Sequence, residues 1–135
     1  MKITVDTNLL VRAAIRDDED QAAMARRIMI MAESIVVPLP CVLEFVWVLR
    51  SVYGLSRNEV AQAVLALIDS GKVVADTMAI RAGLDVHAAG GDFADGIIAS
   101  AGAGMGAEAF VSFDRKAVRH IAGIGLAARN ARDLA

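Results

Sequence analysis

The sequence predicts an α/β fold with a mainly parallel central sheet of four to five strands flanked by helices, on three observations. Short β-branched runs recur between longer stretches of helical periodicity, among them Lys2-Ile3-Thr4-Val5, Ile35-Val36-Val37 and Lys72-Val73-Val74-Ala75. The resulting order, β-α-α-β-α-α-β-α-α-β-α, places helices between successive strands, as a layered parallel sheet requires. Two of the runs deliver an acid at their carboxyl end, Asp6 and Asp114. That is where open parallel sheets bind ligands.

Each element has a local cause. The first strand ends at the turn signal Asp6-Thr7-Asn8, and a helix follows at once. Asp17-Asp18-Glu19-Asp20 precedes a helix over residues 21–31, with acids in its first turn and Arg26 and Arg27 later, the charge order that a helix dipole favours. After the second strand, residues 40–50 read as a helix with Pro40 in its first turn, apolar on nearly all sides except at Glu44. Tyr53-Gly54 closes it. Ser56-Arg57-Asn58-Glu59 has capping-box spacing and opens the next helix, with Val60, Val64, Leu65, Leu67 and Ile68 along its apolar face. After the third strand, Asp76 or Thr77 caps a helix that Gly90-Gly91 terminates, and residues 92–105 form another. Residues 108–113 make the fourth strand, a short basic helix follows at 115–120, and the tail from Gly123 holds at most one weak strand.

Composition narrows the class. The 135 residues fit one domain over 1–135, with no linker, repeat or low-complexity tract to divide them. Apolar residues at 56% and charged residues at 22% give ample material for a core. The start, Met1-Lys2-Ile3-Thr4-Val5-Asp6, lacks the apolar stretch of a signal peptide, and the longest apolar run, residues 35–43, is interrupted by two prolines and too short to span a bilayer. A single cysteine, Cys41, suits a reducing compartment, so the expectation is a cytoplasmic protein with no membrane partner. Sixteen acids against fourteen bases, a net charge of −2, argue against an indiscriminate basic nucleic-acid binder, though a cationic rim around an acidic pocket fits the same total.

The chemistry lies in the acids. Asp92 and Asp95, in Gly90-Gly91-Asp92-Phe93-Ala94-Asp95-Gly96, are three residues apart at a helix start and share one face. Helix capping accounts for Asp92, and first-turn placement for Asp95, without any chemistry; Asp6 and Asp114 also have capping roles open to them. Glu44 is harder to explain so. Its helical neighbours at three and four residues are Pro40, Cys41, Trp47 and Val48, none of them basic. A buried Glu44 would have to be protonated, paired across the fold or bound to a cation. Two ionised carboxylates about 4 Å apart repel by roughly 4 kcal/mol at an effective dielectric near 20, so several in one crevice call for a counter-charge. Oxygen-only ligands favour Mg²⁺ or Mn²⁺ over zinc, and such a site can activate water for phosphodiester cleavage.

Four segments, Ile3-Thr4-Val5-Asp6-Thr7-Asn8, Pro40-Cys41-Val42-Leu43-Glu44, Asp92-Phe93-Ala94-Asp95-Gly96-Ile97-Ile98-Ala99 and Val111-Ser112-Phe113-Asp114-Arg115, together resemble a PIN domain. The likeness is to the short VapC-type ribonuclease toxins of bacterial toxin–antitoxin pairs. It implies a PIN-like fold over nearly the whole chain and an endoribonuclease that depends on Mg²⁺ or Mn²⁺. The family's four acids fall on Asp6, Glu44, Asp95 and Asp114, which would hold the ion or ions and position the attacking water. Asp92 would support them. Asn8 and Ser112 match positions that hydrogen-bond the acidic centre or the scissile phosphate, and Arg115 would position the RNA backbone. The resemblance also implies a homodimer, inhibited by a small antitoxin. Residues 123–129 make a poorer final strand than the family usually has.

Other signals carry less. Gly102-Ala103-Gly104-Met105-Gly106 ends a helix instead of following a strand, which fits close helix packing and not a dinucleotide loop. Cys41 reads as a buried structural thiol, Trp47 as core or dimer interface, and His87 as helix surface or core. His120 falls with Arg115, Lys116 and Arg119 in a stretch that reads equally as a phosphate-facing patch or a solvated face. Two rivals are a catalytically silent PIN-fold binding partner and a Mg²⁺-dependent phosphoacceptor domain. The intact acids count against the first. The second would need paired acids after the first strand, where Asp6-Thr7-Asn8 offers one.

Overall fold

The computed structural model describes residues 1–135 and contains five strands and seven α-helices, in the order that the sequence predicts with a fifth strand added at the end. The fold is α/β and every strand pair is parallel. The chain divides into two compact units, Met1–Asp76 and Thr77–Ala135.

In the first unit, β1 (Lys2–Thr4), β2 (Ser34–Val36) and β3 (Val73–Val74) form one sheet in sequence order, with Ile3 opposite Ile35 and Ile35 opposite Val73. Two helices separate each strand from the next: α1 (Thr7–Ala14) and α2 (Glu19–Met31), then α3 (Leu39–Ser51) and α4 (Arg57–Ile68). Parallel neighbours need such long crossovers. Asp18 caps α2 by accepting from Gln21 N, and both halves of the Ser56–Glu59 capping box form at α4. Ile35, Val37, Phe45, Leu49, Val60 and Val64 are all buried in the core.

The third helix departs from expectation. Val42, Phe45, Val46 and Leu49 form its buried stripe, so Glu44 and Trp47, three residues apart, lie on the exposed side. Glu44 is therefore exposed, not a buried carboxylate in need of neutralisation, and Trp47, 62% exposed, is not a core residue. The apolar residues all round this helix conceal which face the fold buries.

In the second unit, α5 (Thr77–Ala88) and α6 (Phe93–Gly104) lie against each other, followed by β4 (Phe110–Ser112), α7 (Arg115–Gly123) and β5 (Ala128–Asn130). The last strand exists, shorter and later than the glycine-rich residues before it, and pairs Phe110 with Ala128 and Ser112 with Asn130. A short 3-10 turn, Ala131–Asp133, ends the chain. Val86, Ala99 and Ile121 form a buried cluster, with Phe110, Ile124, Leu126 and Ala128 packed on it. His87 belongs to the core, its ring edge-on to Phe93 at 6.4 Å between centroids.

Close helix packing occurs at different glycines from those expected. A Cβ on Gly96 would lie 2.6 Å from the Ala82 carbonyl oxygen and 2.6 Å from Gly83 Cα, so α5 and α6 touch through backbone there. Gly104 and Gly106 face open space, and Gly102 would meet only Ala107 at 3.9 Å. Gly106, at φ 104°, supplies the left-handed turn that stops the chain after α6.

Candidate active site

In the first unit the residues that the sequence singles out sit on two helices, Asp6 at the start of α1 and Glu44 in the second turn of α3. Asp6 follows β1 and is the N-cap of α1, accepting from Leu9 N at 3.0 Å through Oδ1. Its carboxylate and the Asn8 side chain in the next turn are exposed. Between them Thr7 turns inward and donates its hydroxyl to Cys41 Sγ at 3.7 Å, while the thiol donates to the Val5 carbonyl at 3.7 Å. This contact ties the entry of α1 to the first turn of α3, and Glu44 stands three residues beyond Cys41. Burial pushes the Cys41 thiol above its ordinary pKa; the Thr7 hydrogen bond opposes this, and the charges of Glu44 and Asp6 add to it. Both carboxylates therefore act on one thiol. Cys41 is half-buried, somewhat more open than expected of a structural cysteine.

The second unit gathers three more. Asp92 caps α6, accepting from Ala94 N at 2.9 Å, and Asp95 lies in the first turn. Asp114 leaves the end of β4 and caps α7, its Oδ1 accepting from Lys116 N at 2.9 Å and Ala117 N at 3.3 Å. Ser112 holds the approach to it, accepting from Asp114 N at 3.0 Å. Asp95 is half-buried, and its carboxyl is held above the usual range by burial first, then by the charges of Asp92 and Asp114, with His120 pulling the other way. Arg115 opens α7 and is exposed.

His120 has a place that sequence reading missed. A Cβ on Gly91 would lie 2.6 Å from His120 Nδ1, so the imidazole rests against the backbone just before Asp92. The ring is thus half-buried against that turn, and its charge bears on Asp95, whereas Arg119 is exposed. The only hint in the sequence is a second glycine, Gly91, where the turn already has the positive φ of Gly90.

Two sets of carboxylates result, Asp6 with Glu44 and Asp95 with Asp92 and Asp114. No group of three or more His, Cys, Asp or Glu side chains lies at the spacing of metal ligands. The donor chemistry nevertheless suits a hard divalent ion: every candidate ligand is a carboxylate oxygen, and Asp95 bears a like-charge burden, opposed only in part by His120, that a cation would relieve.

Residues 3–124 match the PIN domain family, a span that contains both sets. The chain belongs to the PIN domain family. No curated protein matches it. PIN domains are in general nucleases that bind nucleic acid and typically use divalent metals, which makes this chain a nuclease-class hydrolase at that level of description. No helix is long and apolar enough to cross a membrane.

Proposed function

We propose that this chain is a Mg²⁺- or Mn²⁺-dependent endoribonuclease of the VapC type, the toxin of a toxin–antitoxin pair that cuts RNA to inhibit translation and growth. In this reading the two units are halves of one domain, since the family match runs through both. Asp6, Glu44, Asp95 and Asp114 hold the metal. What links the two sets is their order along the chain, which is that of the family's four acids. The protein acts in the cytoplasm as a homodimer, and a small antitoxin holds it in check.

The observation that carries the proposal is the family match over residues 3–124, which takes in all four acids; among them Asp95 is a half-buried carboxylate whose charged form is disfavoured by burial and by two neighbouring acids, with His120 opposing them. Such a group is neutralised by a proton or by a cation. A divalent ion, when bound, supplies the counter-charge and Lewis acidity for phosphodiester hydrolysis. The chain's own contribution is position. Asp114 is fixed by two backbone N–H groups and by Ser112, Asp6 by Leu9 N, and Asp92 by Ala94 N. Arg115, one residue past Asp114, offers a guanidinium to the RNA backbone, and Asn8 stands in the first turn after Asp6.

The test is cleavage of single-stranded RNA by the purified full-length protein. Activity should disappear in EDTA and return with Mg²⁺ or Mn²⁺ but not with Ca²⁺. Absence of cleavage under every metal condition would leave a PIN fold that acts by binding alone.

A further inference from the structure

Beyond Asp114 along the chain lies a feature of which the cleavage reading uses only Arg115. Arg115 and Arg119, one helical turn apart on α7, border an open cavity of about 470 Å³ with Arg132 and Asn130 from the C-terminal segment. Three guanidiniums face the single carboxylate of Asp133 there, in a chain whose net charge is −2. Arg115 and Arg119 are exposed and enter no ion pair. Their charge is available to an anion.

The same segment presents an aromatic ring. Phe113, 68% exposed, stands between Ser112 and Asp114 where a large apolar side chain gains nothing from burial. Arg132 fixes it: its guanidinium lies 5.3 Å from the ring centroid and donates through Nη1 to the Phe113 carbonyl at 3.1 Å. Arg132 is itself set by Asn130, whose Oδ1 accepts from Arg132 N at 3.0 Å. One face of the ring thus carries a cation, and the high exposure leaves the remainder open for stacking.

From this arrangement we infer that Phe113, Arg132, Arg119 and Arg115 form a nucleotide subsite for single-stranded RNA beside Asp114, Phe113 stacking a base and the arginines neutralising the adjoining phosphates. Aromatic stacking with cationic backbone contacts is the means by which unpaired strands are held, because every base has a π-face and only an unstacked base can offer it. A purely acidic chain such as polyglutamate would match the charge but offer Phe113 no ring to stack on. The ligand class rests on the nuclease reading; the binding geometry does not.

The test uses fluorescence anisotropy of a labelled oligouridylate of about eight nucleotides with the full-length protein in EDTA, so that binding is separated from cleavage. Phe113→Ala should weaken binding roughly fivefold to 150-fold and Phe113→Trp should retain it, with circular dichroism melts unchanged because the ring is exposed. An abasic strand should bind the unaltered protein about as weakly as the uridylate binds Phe113→Ala. Arg119→Gln or Arg132→Gln should lower the slope of log K against log salt by about 0.7 for each phosphate that is no longer neutralised. Undiminished binding by Phe113→Ala, equal affinity for the abasic strand, displacement by polyglutamate as effective as by RNA, or no RNA binding at all would each overturn the subsite. Cleavage with Mg²⁺, measured on the same preparations, tells the two readings apart: binding that depends on Phe113 without cleavage removes the nuclease and keeps the subsite, and cleavage indifferent to Phe113 does the reverse.

Discussion

The hydroxyl of Thr7 donates to the sulfur of Cys41 across 3.7 Å, joining the turn that carries Asp6 to the helix that carries Glu44. Because burial, Glu44 and Asp6 all raise the thiol's pKa, Cys41 is a reporter for the charge on those two acids. Fewer thiolates at neutral pH mean slow alkylation. Iodoacetamide should therefore react sluggishly with the folded protein, severalfold faster with Glu44→Gln, and more slowly still with Thr7→Val, which loses the bond that favours the thiolate. Added Mg²⁺ should move the rate in the same direction as Glu44→Gln, and an unchanged rate would count against metal at this pair.

Asp95 is subject to the same two effects, burial and neighbouring carboxylates. Its carboxyl is raised in the folded chain, so its ionised form opposes folding. The penalty is absent below the ordinary carboxylate range, grows as pH rises through it and is complete above the raised folded value. Asp95→Asn should accordingly melt higher than the parent in metal-free neutral buffer, with the advantage shrinking to nothing in acid. Thermal melts at several pH values measure this, and a variant that is less stable at neutral pH would contradict it.

The contact between α5 and α6 fixes the start of α6 and hence the approach to Asp95. Gly96→Ala places a methyl 2.6 Å from backbone atoms that cannot turn aside, and should cost about 1–3 kcal/mol in chemical denaturation. Gly104→Ala, with open space around its Cβ, should be neutral or stabilising by less than about 1 kcal/mol.

Much of this was legible in the sequence, for a local reason. Asp6, Asp92 and Asp114 each stand in extended backbone directly before a helix, and each has become a cap; Ser56 and Glu59 stand at box spacing and form it. The parallel class followed from helices placed between strands. What could not be read depends on which neighbour a side chain meets. Helix α3 is apolar on nearly every side, so its sequence does not say that Glu44 and Trp47 face solvent. Gly96 and Gly102 look alike in the chain, yet only one touches another backbone. His120 meets Gly91 from nearly thirty residues away, beyond any local pattern. Phe113 read as part of a strand end, and its pairing with Arg132 needed the fold of the tail.

RNA cleavage under Mn²⁺, with Asp6→Asn, Asp95→Asn and Asp92→Asn compared side by side, decides whether Asp6, Glu44, Asp95 and Asp114 act together on metal as proposed. Asparagine caps a helix as well as aspartate at positions 6 and 92, and at position 95 it removes a charge that opposes folding, so all three should fold. Asp6→Asn and Asp95→Asn should each lose on the order of 100-fold or more in rate, whereas Asp92→Asn, removing only a supporting charge, should lose about tenfold or less. Full cleavage by both Asp6→Asn and Asp95→Asn would contradict the account.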